Sequence, residues 1–145
     1  MMSRYLGDEW ALPYLDPQNR PFFSSGASRI QVCCACETAQ HPPDDVCHAC
    51  QGMEFTHRDS AGLGVVHSYI VVHHAVHPAL AERIPYAVAL ITLDDMPAIR
   101  VCGNIVDLAP EDVSIGQPVR VVFEDIHDAE MDENLTIPQW QTVKG

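Results

Sequence analysis

Two Cys-x-x-Cys pairs, Cys33 with Cys36 and Cys47 with Cys50, are separated by ten residues in the first third of the 145-residue chain. Zinc binds four thiolates tetrahedrally, and two tight turns that each present two sulfurs complete this shell without an open position. The spacing is typical of a structural zinc ribbon, in which a short hairpin brings the two turns to one ion. We therefore predict that these four cysteines bind one structural zinc ion.

Other uses of these cysteines fit the sequence less well. Cys34 lacks the two-residue spacing, and His41 and His48 are expected to stay outside a shell that four thiolates already fill. Two disulfides would suit a secreted domain, but the chain does not start with a charged region followed by an apolar run. A redox Cys-x-x-Cys occurs singly, ahead of a helix. A reducing, cytoplasmic compartment is therefore expected.

The charge of the chain argues against two classes of partner. Twenty acidic and eight basic side chains give a formal net charge of -12, and the basic residues are scattered. Nucleic acids and anionic lipid surfaces are bound through clustered Lys and Arg, so both are disfavoured as partners. No apolar run reaches the length of about 18 residues that a membrane span needs.

Three segments are predicted along the chain: an arm over residues 1–30, a zinc ribbon over residues 31–58 and a β domain over residues 59–145. Prolines divide the arm, so it can form only short helical turns. Its aromatic side chains either cover this protein's own ribbon or dock on a partner protein, and both interpretations remain open. These candidate docking residues are Trp10, Tyr14, Phe22 and Phe23.

The third segment has the pattern of an all-β domain. Runs rich in β-branched residues predict strands over residues 65–72, 86–93, 98–106, 119–126 and 136–143. Five short strands without a helix favour a small five-stranded barrel of the OB-fold type, with a sandwich as the alternative. Closure is preferred because it removes the exposed sheet edges that so few strands would leave. The predicted fold class is therefore mainly β.

The sequence offers few candidates for catalysis, and it contains neither a Gly-x-Ser-x-Gly elbow nor a phosphate-binding loop. Cys102 is the best nucleophile candidate, but a single cysteine in a strand is expected to be a small buried hydrophobe. A second metal site is one interpretation of the four histidines His67, His73, His74 and His77. The sequence lacks the glutamate motif that would accompany such a site, so a solvated loop is favoured.

Negative charge is concentrated in residues 124–133, ahead of the last predicted strand. Such a run is usually a solvated loop. It is therefore expected to be exposed, where it either meets only solvent or faces a basic surface of a partner, which would raise the association rate more than the affinity.

The order of these features resembles the DUF35 family, in which a rubredoxin-like zinc ribbon is fused to an OB-fold. The similarity covers nearly the whole chain, and one departure is Glu37, where many members have a glycine that would ease a positive φ angle. The residues that carry the resemblance are Ile30-Gln31-Val32-Cys33-x-x-Cys36, Pro42-Pro43, Cys47-x-x-Cys50, Gly62-x-Gly64-x-Val66-x-Ser68, Pro85-Tyr86, Ile115-Gly116-Gln117-Pro118-Val119, Phe123 and Ile137-Pro138-Gln139-Trp140.

This resemblance implies an accessory role. DUF35 proteins assist thiolase-like enzymes that act on acyl-coenzyme A thioesters, including the retro-aldolases that shorten steroid side chains. It implies that a thiolase-fold partner carries the catalytic residues, that the arm and the ribbon dock on this partner, and that the complex contains two copies of each subunit. The OB portion is expected to help cover the acyl-CoA path, with most phosphate contacts supplied by the partner, because this chain has only isolated arginines.

Two alternatives to the retro-aldolase subunit remain. One is a subunit of a thiolase or acyltransferase complex. The other belongs to a different class, an independent acyl-CoA enzyme that uses Cys102 or the four histidines from His67 to His77. The accessory-subunit hypothesis requires no catalytic residue in this chain.

Overall fold

The computed structural model describes residues 4–143, so the ends of the first and third predicted segments lie outside the described residues. Almost all of the regular structure is β, which confirms the predicted fold class. One short helix and two 3-10 turns, Pro78–Leu80 and Pro110–Asp112, interrupt the strands. None of the helical segments within the described range has the length and hydrophobicity needed to cross a membrane. The elements are α1 (Arg20–Ser24), β1 (Ser28–Cys33), β2 (Ala39–Gln40), β3 (Phe55–Ser60), β4 (Leu63–Val72), β5 (Tyr86–Leu93), β6 (Arg100–Asn104), β7 (Pro118–Asp128) and β8 (Glu133–Thr142).

The cysteine pairs belong to a three-stranded antiparallel sheet with the order β2-β1-β3. Strand β1 pairs with β3 along its whole length, from Ser28 opposite Ser60 to Cys33 opposite Phe55. Strand β2 has only two residues, so most of the chain between the two cysteine pairs is irregular. The sheet extends two to three residues beyond each end of the segment 31–58 that the sequence suggests.

The second sheet is the predicted five-stranded barrel, with all neighbouring strands antiparallel and the order β6-β5-β4-β7-β8. A bulge between Val66 and Ser68 bends β4, which lets the sheet curl. The two outer strands then meet through a parallel bridge between Ile105 and Trp140, where the Val106 N–H donates to the Trp140 carbonyl at 2.8 Å. This closure between the third and fifth barrel strands gives the partly open barrel of an OB-fold.

Strand β5 shows how the sequence produces this barrel. Its alternate residues Ala87, Ala89, Ile91 and Leu93 are buried, as expected when every second side chain faces one side of a sheet. Opposite them, β4 carries Gly64, where a Cβ atom would lie 2.4 Å from the Thr92 carbonyl oxygen. The glycine therefore allows β4 and β5 to approach closely.

The arm, the ribbon and the barrel share one hydrophobic core. Phe22 of α1 and Ile30 of β1 pack into the same cluster as the barrel residues, at 6% and 0% exposure. An ion pair between Arg20 and Glu133 and a hydrogen bond from the Gly26 N–H to Thr136 Oγ1 further fix α1 on β8. The orientation of the ribbon relative to the barrel is thus set by buried contacts.

Two expectations about the last hairpin were wrong. The fifth barrel strand, β8, has ten residues and begins three residues before the predicted range 136–143. The acidic run 124–133 is not a loop, because β7 continues to Asp128 and β8 begins at Glu133. Within it, Glu124 is only 3% exposed and accepts hydrogen bonds from the Tyr5 N–H and from Gln139 Nε2. These donors allow the carboxylate to be buried.

Candidate metal centre

The structure brings the predicted ligands Cys33, Cys36, Cys47 and Cys50 together, with all four Sγ atoms within 4.8 Å of one another. Cys33 Sγ lies 3.5 Å from Cys50 Sγ, and Cys36 Sγ lies 3.6 Å from Cys47 Sγ. A tetrahedral zinc site with Zn–S bonds of about 2.3 Å needs sulfurs about 3.8 Å apart. The arrangement therefore fits one metal ion such as zinc. Within residues 4–143, these cysteines form the only group of His, Cys, Asp and Glu side chains with such proximity.

The two cysteine turns have the same backbone structure. Cys33 N–H donates to the Thr38 carbonyl at 2.9 Å, and Cys47 N–H donates to the Gly52 carbonyl at 2.8 Å. The N–H of Glu37 donates to the carbonyl of Cys33, and the N–H of Gln51 does the same to Cys47, each at 2.9 Å. The two turns therefore present their sulfurs in equivalent ways.

Both turns require a left-handed residue directly after their second cysteine. Glu37 and Gln51 each have a φ of 63°, a conformation that costs a residue with a Cβ about 1–2 kcal/mol. The sequence already marked Glu37 as the place where related proteins carry glycine, and the positive φ explains that preference.

Replacing Glu37 by glycine should therefore stabilise the metal-bound protein. We expect a gain of about 0.5 kcal/mol, because the relief of strain exceeds the higher entropy of glycine in the unfolded chain. Ala35→Gly, in the same turn but without a positive φ, is the matched control and should destabilise by about 0.5–1 kcal/mol. Urea unfolding of the zinc-loaded variants measures both changes in the free energy of unfolding. Equal losses of stability in the two variants would contradict backbone strain at Glu37.

Hydrogen bonds make the sulfur cluster electrostatically uneven. The hydroxyl and the backbone N–H of Thr38 lower the pKa of the Cys36 thiol to about 6, so this sulfur is largely a thiolate at neutral pH. For Cys50 the Gly52 N–H lowers the pKa, but the three neighbouring sulfurs outweigh it and raise the pKa to about 12. A cation at the centre would favour the deprotonated form of all four sulfurs.

Two buried glutamines position the second cysteine turn. Gln31 Oε1 accepts from Gln40 Nε2 at 2.7 Å and from the Asp44 N–H at 3.0 Å. Gln40 Oε1 in turn accepts from the His48 N–H at 3.0 Å, directly beside Cys47. In the irregular segment between the two cysteine turns, these side chains supply hydrogen bonds that strand pairing does not supply. Sequence reasoning missed this role, since glutamine side chains are ordinarily exposed.

The neighbouring histidines do not join the sulfur cluster. His48 Nδ1 lies 3.0 Å from Gln40 Oε1, and the His41 ring packs 4.6 Å from that of Phe22. Burial lowers the pKa of His41 to about 4, so this imidazole is neutral at neutral pH. Cys34 is exposed and also outside the cluster. With four thiolates and no position left for water or substrate, the centre can hold the fold together but cannot activate a reactant.

The four aromatic candidates of the arm divide into two groups. Phe22 lies in the protein's own core and Phe23 is packed against it, so for these two side chains the structure favours the alternative in which the arm covers this protein. The burial of Phe22 follows from α1 lying on β8. Trp10 is half-buried, and its ring centroid lies 5.6 Å from that of His77 in an edge-to-face arrangement. Tyr14 is 79% exposed and remains available for docking.

Cys102 is not the buried hydrophobe that its strand position suggested. It lies on the outward side of β6, opposite Leu90, and its side chain is exposed. Partial burial nevertheless raises the pKa of the thiol, which keeps it protonated at neutral pH. No histidine or carboxylate of the described chain forms a hydrogen bond with it, so no base activates it as a nucleophile.

The four histidines also fail to form a site. His67 lies at the bulge of β4, whereas His73, His74 and His77 are exposed in the segment that follows this strand. His77 Nδ1 accepts from the Ala79 N–H at 3.0 Å and so caps a 3-10 turn. The exposure of His73, His74 and His77 agrees with the favoured interpretation, a solvated loop.

Comparison with known proteins supports the combination of ribbon and barrel. A chain of a solved structure described as "Ltp2-ChsH2(DUF35) aldolase" is 35% identical, with a TM-score of 0.74, over 90% of this chain and 98% of that chain. A "DUF35 domain-containing scaffold protein" of Methanocaldococcus jannaschii is 37% identical over 97 residues, 66% of this chain and 67% of the relative. The chain belongs to the DUF35 family.

Two further comparisons place this DUF35 chain among its relatives. The family described as the ChsH2 C-terminal OB-fold domain matches residues 57–124, which contain strands β4 to β6 and the first half of β7. A Thermomonospora curvata protein named "Probable enoyl-CoA hydratase alpha subunit" is 37% identical over 129 residues, 87% of this chain. The DUF35 chain spans only 38% of the length of that relative.

Proposed function

We propose that this DUF35 chain is a non-catalytic subunit that binds and supports a thiolase-fold enzyme acting on acyl-CoA thioesters. The observation that carries the proposal is the likeness to a chain of a structure described as an aldolase, which covers 90% of this chain and 98% of that chain. The reaction is then a carbon-carbon cleavage, with a steroid side-chain acyl-CoA as the substrate class. The closed thiolate cluster and the unactivated Cys102 support a non-catalytic role.

The metal centre serves this function through structure alone. One zinc ion bound by Cys33, Cys36, Cys47 and Cys50 fixes the irregular return between the two turns, and thereby the surface beside the arm. Four reduced cysteines suit a cytoplasmic, reducing compartment. The catalytic residues come from the partner. Most contacts to the CoA phosphates come from the partner as well, because this chain has twenty acidic residues and only eight basic ones.

The arm provides the docking contact. Tyr14 projects from the surface at 79% exposure, while α1 fixes the end of the arm on the barrel. Exposed tyrosines are enriched among the residues that dominate binding energy at protein interfaces, because they bury much area at low entropic cost. Tyr14 is therefore the side chain of this chain that we assign to the interface, whereas the half-buried ring of Trp10 packs on His77.

Reconstitution with a purified thiolase-fold protein encoded beside this chain tests the function. We expect a complex with two copies of each subunit and acyl-CoA cleavage only when both proteins are present. Tyr14→Ala should weaken association at least about tenfold, which corresponds to a loss of about 1.4 kcal/mol at an interface tyrosine. Binding is measured by calorimetry and cleavage by product analysis.

The matched control is Ile115→Ala, which shortens another side chain that is 70% exposed but lies outside the arm, in the connection that leads into β7. It should change the affinity by less than about twofold, since most side chains outside the few dominant interface residues contribute little to the binding free energy. Turnover by this chain alone would contradict the non-catalytic role and favour an independent enzyme. Cleavage that requires free coenzyme A and transfers the released acyl group to it would favour a thiolase or acyltransferase instead, because a retro-aldol cleavage needs no second thiol and releases an aldehyde or a ketone.

One comparison favours a second candidate. The Thermomonospora curvata relative is named as a hydratase subunit, and this chain matches about a third of it. A hydratase that adds water to an enoyl-CoA would then be the catalytic unit that this chain accompanies. Assaying the reconstituted complex with enoyl-CoA and with β-hydroxyacyl-CoA substrates distinguishes hydration from cleavage.

A further inference from the structure

The second half of β4 has a free edge. Strand β7 pairs with β4 only at Leu63, Gly64 and Val65, ahead of the bulge. Beyond the bulge, residues 68–72 pair with β5 on one side. On the other side, residues 4–143 supply neither a strand nor a backbone hydrogen bond to them. An edge of this kind presents unpaired N–H and C=O groups to any strand that can lie alongside it.

The backbone groups at this edge belong to two residues. Ahead of the bulge, the Val66 N–H donates to the Gln117 carbonyl at 3.0 Å, so the even-numbered residues point toward β7. Successive residues of a strand point their backbone groups to opposite sides. The bulge adds one residue to β4, so beyond it the odd-numbered residues take this direction. Tyr69 and Val71 therefore direct their N–H and carbonyl groups to the free edge.

The sequence of the free edge lacks the features that usually prevent strand pairing. Natural edges are protected by charged residues or proline, or are very short. Residues 68–72 contain neither a charge nor a proline, and the Ile70 side chain is 63% exposed. The edge strands of the ribbon sheet differ, since β3 exposes Arg58 and Asp59 and β2 has only two residues. The β4 edge is therefore open to a partner strand, whereas the ribbon edges are protected.

This edge is complementary to itself. If two copies pair antiparallel about a two-fold axis at Ile70, Tyr69 of each copy lies opposite Val71 of the other. These are the residues whose backbone groups face the edge, so each pair can exchange two N–H···O bonds. An aromatic side chain opposite a β-branched one is also a favourable cross-strand pair. The two exposed Ile70 side chains then meet on the outward side of the sheet and leave water.

The segment that carries this edge contains no charged residue. A formal net charge of -12 opposes self-association in general, but residues 61–81 contain no Asp, Glu, Lys or Arg. All twenty acidic residues therefore lie outside the segment that would face a second copy. An unrelated strand could form the same hydrogen bonds, but the match of Tyr69 with Val71 about a two-fold axis has a use only in a pair of identical chains. These observations favour a second copy as the occupant.

We propose that a second copy of this chain pairs with the β4 edge, so that residues 68–72 of the two copies form an antiparallel pair and join two barrels through one continuous sheet. The contact is smaller than a standard protein interface, so the dimer should be weak, with a dissociation constant on the order of 100 μM. The inference rests on neither the metal centre nor the proposed thiolase-fold partner.

Sedimentation velocity of the isolated protein over about 5 to 500 μM tests the self-association. We expect the mass to rise with concentration from the 16.0 kDa of one chain toward twice that value. Ile70→Lys should weaken the dimer at least about tenfold, because two lysines would face each other across the axis. Leu63→Lys is the matched control, since it adds the same charge to the same strand at an exposed position where β7 already pairs. It should change the dissociation constant less than about twofold, and circular dichroism confirms that both variants fold.

A disulfide across the axis tests the register. In the proposed pairing the two Ile70 residues form a non-hydrogen-bonded pair, whose Cα atoms lie about 4.5 Å apart, close enough for a disulfide. Treatment with oxidised glutathione should therefore convert Ile70→Cys into a covalent dimer. Leu63→Cys and the unmodified protein, in which Cys34 and Cys102 are already exposed, are the controls and should stay uncrosslinked. Equal cross-linking of the two variants would overturn the register.

The remaining outcomes separate this inference from the proposed function. A mass of one chain at every concentration would overturn the proposal, as would equal effects of Ile70→Lys and Leu63→Lys on the dimer. If the isolated protein stayed monomeric and Ile70→Lys instead weakened association with the thiolase-fold protein, the β4 edge would belong to that interface. A concentration-dependent dimer that binds no thiolase-fold protein would support this inference and contradict only the proposed function.

Discussion

Cys47→Ser should abolish zinc binding and unfold the ribbon, while the barrel keeps its structure. Cys47 is fully buried and supplies one of the four sulfurs, so its loss leaves an incomplete shell. Apparent binding energies of structural zinc sites reach about 10–16 kcal/mol, and this energy is folding energy for the segment that the metal orders. We expect the zinc content to fall from about one ion per chain to nearly none.

Hydrogen exchange shows which strands unfold in Cys47→Ser. The amides of β1 and β3 should lose protection in Cys47→Ser, whereas those of β5 should stay protected. Cys34→Ser is the matched control, since it removes an exposed neighbouring sulfur that lies outside the cluster. Its zinc content and exchange should equal those of the unmodified protein. Loss of zinc in the control, or full retention in Cys47→Ser, would contradict the ligand set.

Trp140→Ala should be the most damaging truncation in the barrel. The side chain is fully buried, and a Cβ atom at Gly103 would lie 2.7 Å from Trp140 Cδ1, so the indole packs directly on the β6 backbone. Removing a buried tryptophan costs about 3–5 kcal/mol, and the loss also falls at the bridge that closes the barrel. We expect the melting temperature to fall by about 10–20 °C.

The indole Nε1 of Trp140 has no hydrogen-bond partner among the described residues, so this loss measures packing rather than a polar contact. Tyr14→Ala serves as the control for aromatic truncation, because its side chain is 79% exposed. It should change the free energy of unfolding by less than about 0.5 kcal/mol in thermal and urea denaturation. A similar melting temperature for both variants would contradict the closure of the barrel through Trp140.

The parts of this protein that follow from local rules were predictable. The spacing of the cysteines implied four converging sulfurs, and the structure brings those four together while leaving Cys34 out. Runs of β-branched residues marked the five barrel strands, and β5 was located at both of its ends. The positive φ of Glu37 agrees with the glycine preference at that position. In each case a short stretch of sequence was enough for the prediction.

The parts that depend on tertiary contacts were not predictable. Phe22 is buried because α1 lies on β8, a contact between segments more than one hundred residues apart. Glu124 is buried although it begins an acidic run, because its donors come from the arm and from β8. Cys102 is exposed because its strand turns that side outward, below an arm whose path no local pattern specifies.

The hydrogen bond between the Tyr5 N–H and Glu124 has a consequence for how the arm can move. If a partner protein took the place of the arm and kept this 3%-exposed carboxylate buried, the loss of the Tyr5 N–H as a donor would cost about 1–3 kcal/mol. A protein that displaces the arm must therefore bring an N–H or O–H group of its own to Glu124, and this requirement would select partners by a single buried donor.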